Sequence, residues 1–203
     1  MKKIEAHAIV IGTSQGGIEA LSKLFAGLSK QFMIPLIIVY HRAINSSTDF
    51  IKSYFSDYTS LEIIEVSDNE KIKPRHIYFA PAGYHILIED SNTICVYLDE
   101  PVNFSRPSID VLFESASSVF KNKLIGILLT GANNDGAKGL SRIIHVGGYA
   151  LVQDPKTAIA STMPQSAIDT CKVDQILPLN KIAEVLNQAN RYYESEKISY
   201  EAG

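Results

Sequence analysis

Ser14, His41 and Asp135 are the residues of this chain whose types and positions combine into a recognisable chemistry. Ser14 follows the apolar run 7–12, His41 ends the run 35–41, and Asp135 lies in the glycine-rich turn after the run 123–130. A hydroxyl, an imidazole and a carboxylate are the nucleophile, general base and base-orienting acid of acyl transfer. Each run reads as a strand. The carboxyl ends of parallel strands share one rim of a sheet, where open α/β folds place their ligands. Residues distant in sequence can meet there, and these three types point to a serine hydrolase.

The segment Gly12-Thr13-Ser14-Gln15-Gly16 fits G-x-S-x-G, a sharp strand-to-helix turn that exposes a serine oxygen. A helix beginning near Gly16 aims its free N–H groups and positive dipole end at the same place. Negative charge growing on a carbonyl oxygen is stabilised by such donors, which makes the backbone at Gln15 and Gly16 the oxyanion candidate. Two other uses compete. Ser14 can simply cap the helix that follows. The turn can also bind a dinucleotide, but the middle glycine of G-x-G-x-x-G is missing. His41 also stands where an acidic ribose partner belongs.

His41 is of the residue type that most often serves as general base. The plainer alternative is a strand-end histidine bonded to backbone. Of the other histidines, His7 opens a strand at the wrong rim and His145 ends a helix. His85 lies in a hairpin and reaches the rim only if that hairpin folds over it. Asp135, in Asn133-Asn134-Asp135-Gly136, can accept the His41 ring N–H; it or Asn134 can equally cap the following helix. The two roles of Asp135 are compatible.

The elements that must position these residues alternate. Strands are expected at 7–12, 35–41, 62–66, 123–130, 149–153 and 174–178. Helices are expected at 16–30, from Ser46 or Ser47 to about Phe55, from about 109 to 120, up to about His145, from Met163 or Pro164, and from Asn180. Short β runs at 76–80, 84–89 and 93–98, separated by turn residues, read as an antiparallel hairpin insertion. The fold expected is a doubly wound, mostly parallel sheet flanked by helices, with that small insertion. Residues 1–192 form one domain, and 193–203 a polar tail that frays after about Arg191.

Of the 203 residues 46% are apolar and 20% charged, with a net charge of −3, the balance of a globular domain with a substantial core. No dense Lys/Arg run favours nucleic acid, and no apolar run is long enough for a membrane span. Cys95 and Cys171 lack CxxC spacing and read as buried thiols of a cytoplasmic protein. No Cys/His cluster suggests a metal.

The chain resembles the catalytic domain of the chemotaxis receptor methylesterases, the CheB type. The resemblance runs from about Ala8 to Leu186 and rests on Ile11 to Gly17, Tyr40-His41, Phe79 to His85, Arg106 to Phe113, Leu128 to Gly131, Asp135 to Gly139, and Met163-Pro164. It implies a triad of Ser14, His41 and Asp135, without metal or organic cofactor. The implied activity is hydrolysis of glutamate methyl esters on chemoreceptors, with glutamine deamidation in many members. A methylated receptor is the implied substrate, and a separate receiver domain or a methyltransferase the implied partner. Gln15, Gly16 and Ala132 would border the oxyanion site, with His85, Arg106 and Met163 around the cleft. Two departures stand beside that site: Gln15 replaces the usual threonine, and Thr130-Gly131-Ala132-Asn133 replaces Thr-Gly-Met-Gly. With the first strand starting by about His7, no receiver domain is expected ahead of it. These features also motivate a rival reading, a catalytically weak domain that binds receptors or signalling partners.

Overall fold

A strand buried on both faces needs apolar residues at every position, not at alternate ones. In the computed structural model, which describes residues 4–42 and 48–201, β1 (Ala8–Thr13) is buried along its whole length. Ile9 and Ile11 enter one core, and Ala8 and Val10 enter another on the opposite face. The chain then runs α1 (Gly17–Ala26), β2 (Leu36–Tyr40), α2 (Thr48–Ser56), β3 (Glu62–Glu65), β4 (Glu70–Lys71), β5 (His76–Phe79), β6 (His85–Asp90) and β7 (Thr93–Tyr97). It continues with α3 (Ile109–Phe120), β8 (Leu124–Leu128), α4 (Ala137–His145), β9 (Tyr149–Gln153), α5 (Thr162–Thr170), β10 (Gln175–Leu177) and α6 (Leu179–Glu201).

Seven strands form a sheet in the order β10-β9-β8-β1-β2-β5-β3, with every pairing parallel. Helices α1, α2 and α6 contribute to the core on one face; α3, α4 and α5 contribute to the other. From β1 the chain builds outward to β2 first and later to β8 on the other side. The carboxyl ends of β1, β2 and β8 therefore flank the switch in strand order, where such sheets leave a crevice.

The antiparallel insertion is smaller and differently bounded than expected. His76–Phe79 belongs to the main sheet, parallel to both β2 and β3. Its Ile77, Tyr78 and Phe79 are buried, as a strand covered on both faces requires. The separate sheet has the order β4-β7-β6 and covers α3 with Ile86, Ile88 and Ile94. The helix expected from Ser46 or Ser47 is described from Thr48; its proposed start lies outside the described residues. At the other end α6 runs past Arg191 to Glu201, and Tyr193 packs on the core. Cys95 and Cys171 are free and half-buried rather than buried. Among the described residues no helix is long and apolar enough to cross a membrane.

Candidate active site

Backbone pairing brings the serine turn and the histidine together. Thr13 is in register with Tyr40, and the His41 N–H donates to the Thr13 carbonyl at 3.0 Å. On the other side the Ser14 N–H and the Thr13 hydroxyl both donate to the Thr130 carbonyl, at 3.0 and 2.9 Å. Ser14 is thus clamped between the ends of β2 and β8, one residue beyond the register that places His41 beside it. The chain then reverses through Gly16, whose φ of 81° suits glycine. A Cβ there would also stand 2.7 Å from the Ile159 Cβ.

Ser14 does not cap α1. The N-cap is Gly16, without a side-chain cap bond. The Ser14 hydroxyl makes no hydrogen bond among the described residues, and the N–H groups of Gln15 and Gly16 are likewise without a partner there. What holds the turn is Thr130. Its hydroxyl donates to the Gln15 carbonyl at 2.8 Å and accepts from the Ala160 N–H at 2.9 Å. The Thr130 N–H is fixed in turn by buried Gln153 Oε1 at 2.9 Å.

Asp135 sits at the opposite extreme of satisfaction. It is fully buried and takes five donors: His41 Nε2 (2.9 Å) and the Ile109 N–H (2.7 Å) on Oδ2, and Ser108 Oγ (2.9 Å), Asn103 Nδ2 (3.1 Å) and the Asp110 N–H (3.2 Å) on Oδ1. Two of these are the first N–H groups of α3, so Asp135 caps that helix and not α4, whose N-cap is Gly136. Gly12 makes the approach possible, because a Cβ there would lie 2.3 Å from Ile109 Cγ2. Burial works to raise the Asp135 carboxyl, but the bonds from His41, Ile109 and Asn103 outweigh it and hold the group below the usual carboxylate range. Neighbouring Asp110 is moved the other way: burial raises it, the Gly139 N–H counteracts, and the Asp135 charge adds to the rise.

A carboxylate filled with donors can only accept. The ring proton of His41 therefore lies on Nε2, and Nδ1 carries the lone pair. Asn133 Nδ2 stands 3.4 Å from that nitrogen.

Around this centre the remaining sequence candidates take separate positions. Gln15 and Ala132 are both exposed. His85 is fully buried behind Asp135: its Nδ1 accepts the Ser108 N–H and its Nε2 donates to the Glu100 carbonyl, both at 3.1 Å. Arg106 donates to the Asp99 carbonyl at 2.8 Å. Met163 is buried against Gly131, where a Cβ would meet its sulfur at 2.6 Å, and its N–H bonds the Gly131 carbonyl at 2.9 Å. His85 and Met163 are both fully buried and hold loops. Sequence reasoning assigns no role to Gln153, Asn103 or Ser108, and names Thr130 and Asn133 only as part of the altered stretch beside the oxyanion site. Ser108, just before the apolar stripe of α3, carried a cap signal; Asn103, in a loop, carried none.

Over residues 9–186 the chain matches the family model described as CheB methylesterase. A protein of Leptospira interrogans (serogroup Icterohaemorrhagiae, serovar copenhageni), provisionally ascribed protein-glutamate methylesterase and protein-glutamine glutaminase activity, is 49% identical over 179 residues, 88% of this chain and 92% of its own. The protein-glutamate methylesterase/protein-glutamine glutaminase of Clostridium acetobutylicum is 32% identical over 178 residues; the match covers 88% of this chain and 51% of that relative. The crystal structure of the Thermotoga maritima CheB methylesterase catalytic domain aligns with a TM-score of 0.83 at 29% identity, covering 91% of this chain and 99% of that one. A parallel sheet with a small antiparallel sheet against α3 is thus shared with a CheB catalytic domain, and the chain belongs to the CheB methylesterase family.

Proposed function

We propose that this chain is a serine esterase that hydrolyses γ-glutamyl methyl esters on chemoreceptors and deamidates receptor glutamines by the same route. The observation that carries the reading is the 2.9 Å contact of His41 Nε2 with Asp135 Oδ2 at the strand end beside Ser14. The names of the relatives supply the substrate class.

Ser14 Oγ attacks the ester carbonyl carbon while its proton passes to His41 Nδ1. Asp135 stabilises the imidazolium that results. Charge on the carbonyl oxygen meets the N–H groups of Gln15 and Gly16 and the N-terminal end of α1. When the tetrahedral intermediate collapses, Nδ1 returns its proton to the methoxy oxygen and methanol leaves. Water, deprotonated by the same nitrogen, then cleaves the acyl-enzyme to glutamate and restores the Ser14 hydroxyl. A glutamine follows the same path with ammonia as leaving group. A methylated receptor is the substrate partner, with a receiver domain or a methyltransferase as further partners in a cytoplasmic setting.

Methanol release from a methylated receptor, together with fluorophosphonate labelling of Ser14, tests the reading. Ser14→Ala is expected to lower turnover by about 10⁴–10⁶-fold with the fold intact. Undiminished turnover in that variant would remove the mechanism. A wild-type chain that neither labels nor releases methanol would be a binding module instead.

A further inference from the structure

Asn133 lies in the turn between β8 and Asp135, and its carboxamide has one allowed orientation. The Oδ1 end is 3.3 Å from the Asp135 N–H. A backbone N–H only donates, so the oxygen must face it and the NH₂ must face the other way. That NH₂ lies 3.3 Å from Ser105 Oγ and 3.4 Å from His41 Nδ1. Ser105 gives its own proton to the Asn103 carbonyl at 3.4 Å, which leaves its oxygen able to accept. One amide hydrogen is thereby directed at Ser105 and the other at the His41 ring. Because Asp135 keeps the ring proton on Nε2, Nδ1 is the single lone pair of His41, and the Asn133 amide sits on it.

We propose that Asn133 is a positioning residue that latches the base: its N–H occupies the His41 Nδ1 lone pair until the Ser14 hydroxyl displaces it. The inference rests on His41 acting as the base toward Ser14. A ring nitrogen has one lone pair, so the amide N–H and the serine O–H compete for the same acceptor. Once Nδ1 takes the Ser14 proton it becomes a donor facing a donor, and the carboxamide must turn aside. At 3.4 Å the bond is long and weak. It restrains the ring without blocking it, and ordering of Ser14 by a bound ester is enough to open it.

Two variants separate a latch from a merely structural asparagine. Asn133→Ser keeps a short acceptor for the Asp135 N–H, as hydroxyls do in such turns, but stops short of the ring. Asn133→Gly removes both contacts. Fluorophosphonate labelling of Ser14 is expected to quicken by about 3- to 10-fold in both, the scale of one weak hydrogen bond. In nitrogen NMR of the full chain, the His41 Nδ1 resonance is expected to move in Asn133→Ser while the Nε2 proton held by Asp135 stays. Labelling of Asn133→Ser that is unchanged or slower, or an unmoved Nδ1 resonance, would overturn the latch. A wild-type chain that does not label at Ser14 counts against the hydrolase reading, and the Nδ1 comparison alone then decides the latch.

Discussion

The carboxylate end and the serine end of this site are built in opposite ways. Asp135 is fully buried and accepts from five donors drawn from β2's end, α3 and the 103–108 loop. Ser14 is only half-buried, and its hydroxyl and the next two N–H groups bond to nothing among the described residues. The contrast follows from when each charge exists. A buried carboxylate is charged all the time and must be solvated by the protein in advance. An oxyanion is charged only in passing, and donors already satisfied elsewhere would be of no use to it. Under the proposed mechanism stability is concentrated at one end and reactivity at the other, and substitutions at the two ends should separate along that line.

Asp135→Asn should have the largest combined effect. An amide in that place turns its NH₂ toward donors on one side or the other, and the His41 ring loses its charged partner. Loss of one member of a buried pair costs about 3–5 kcal/mol, which lowers Tm by on the order of 10 °C in a domain of this size. Turnover should fall by about 10⁴-fold. The pH dependence of stability gives an independent reading. Folded Asp135 holds its proton less readily than the unfolded chain does, so its contribution is present at neutral pH. That contribution declines below the ordinary carboxylate range and is lost as pH falls through the depressed native value. Asp110, raised chiefly by burial, opposes it, losing stability as pH rises from the ordinary range through its raised value. Denaturant titrations across acidic pH should show the wild-type slope flattened in Asp135→Asn; an unchanged slope would show that the carboxylate is not the stabilising end.

Thr130→Val touches the serine end from behind. It leaves the Ala160 N–H and the Gln15 carbonyl without the hydroxyl that joins them, at a cost of about 1–3 kcal/mol. The Gln15–Gly16 peptide should then wander. A fall in kcat of about 10-fold with little change in KM is expected, short of the ~10²–10³ that follows complete loss of an oxyanion donor. A raised KM with kcat unchanged would instead make Thr130 a binding residue.

Much of this arrangement was legible in the sequence because it depends on local pattern. Apolar runs without alternation marked the buried parallel strands, and the turn residues after them marked the rim. Ser14, His41 and Asp135 stand out as candidates because each lies at such a boundary. What stayed hidden depends on approach between distant elements. Nothing in Ile109 announces that its N–H meets Asp135, since that contact requires Gly12 to let α3 close on β1. His76–Phe79 was assigned to the hairpin because its neighbours are hairpin runs, whereas its lack of a polar face belongs to the central sheet. The motifs of Met163 and His85 suggest a place around the cleft, but only the structure shows that both are buried and bonded to the loops that carry Gly131 and Ser108.

Gln15→Thr should have the smallest effect, and for that reason it probes how the serine end works. Gln15 is exposed, while its carbonyl is tied to Thr130 and its N–H has no partner among the described residues. If the turn acts through backbone alone, exchanging the side chain leaves donors and geometry in place. Gln15 is not among the residues with positive φ, so a β-branched replacement brings no left-handed strain. Stability should stay within about 0.5 kcal/mol, as at other surface positions, and kcat/KM for a methylated receptor within about threefold. A much larger loss, confined to receptor substrates and absent with small acyl esters, would mean that the side chain reads the receptor surface. The serine end would then contribute recognition as well as charge stabilisation, and its contrast with the carboxylate end would be one of partner as much as of timing.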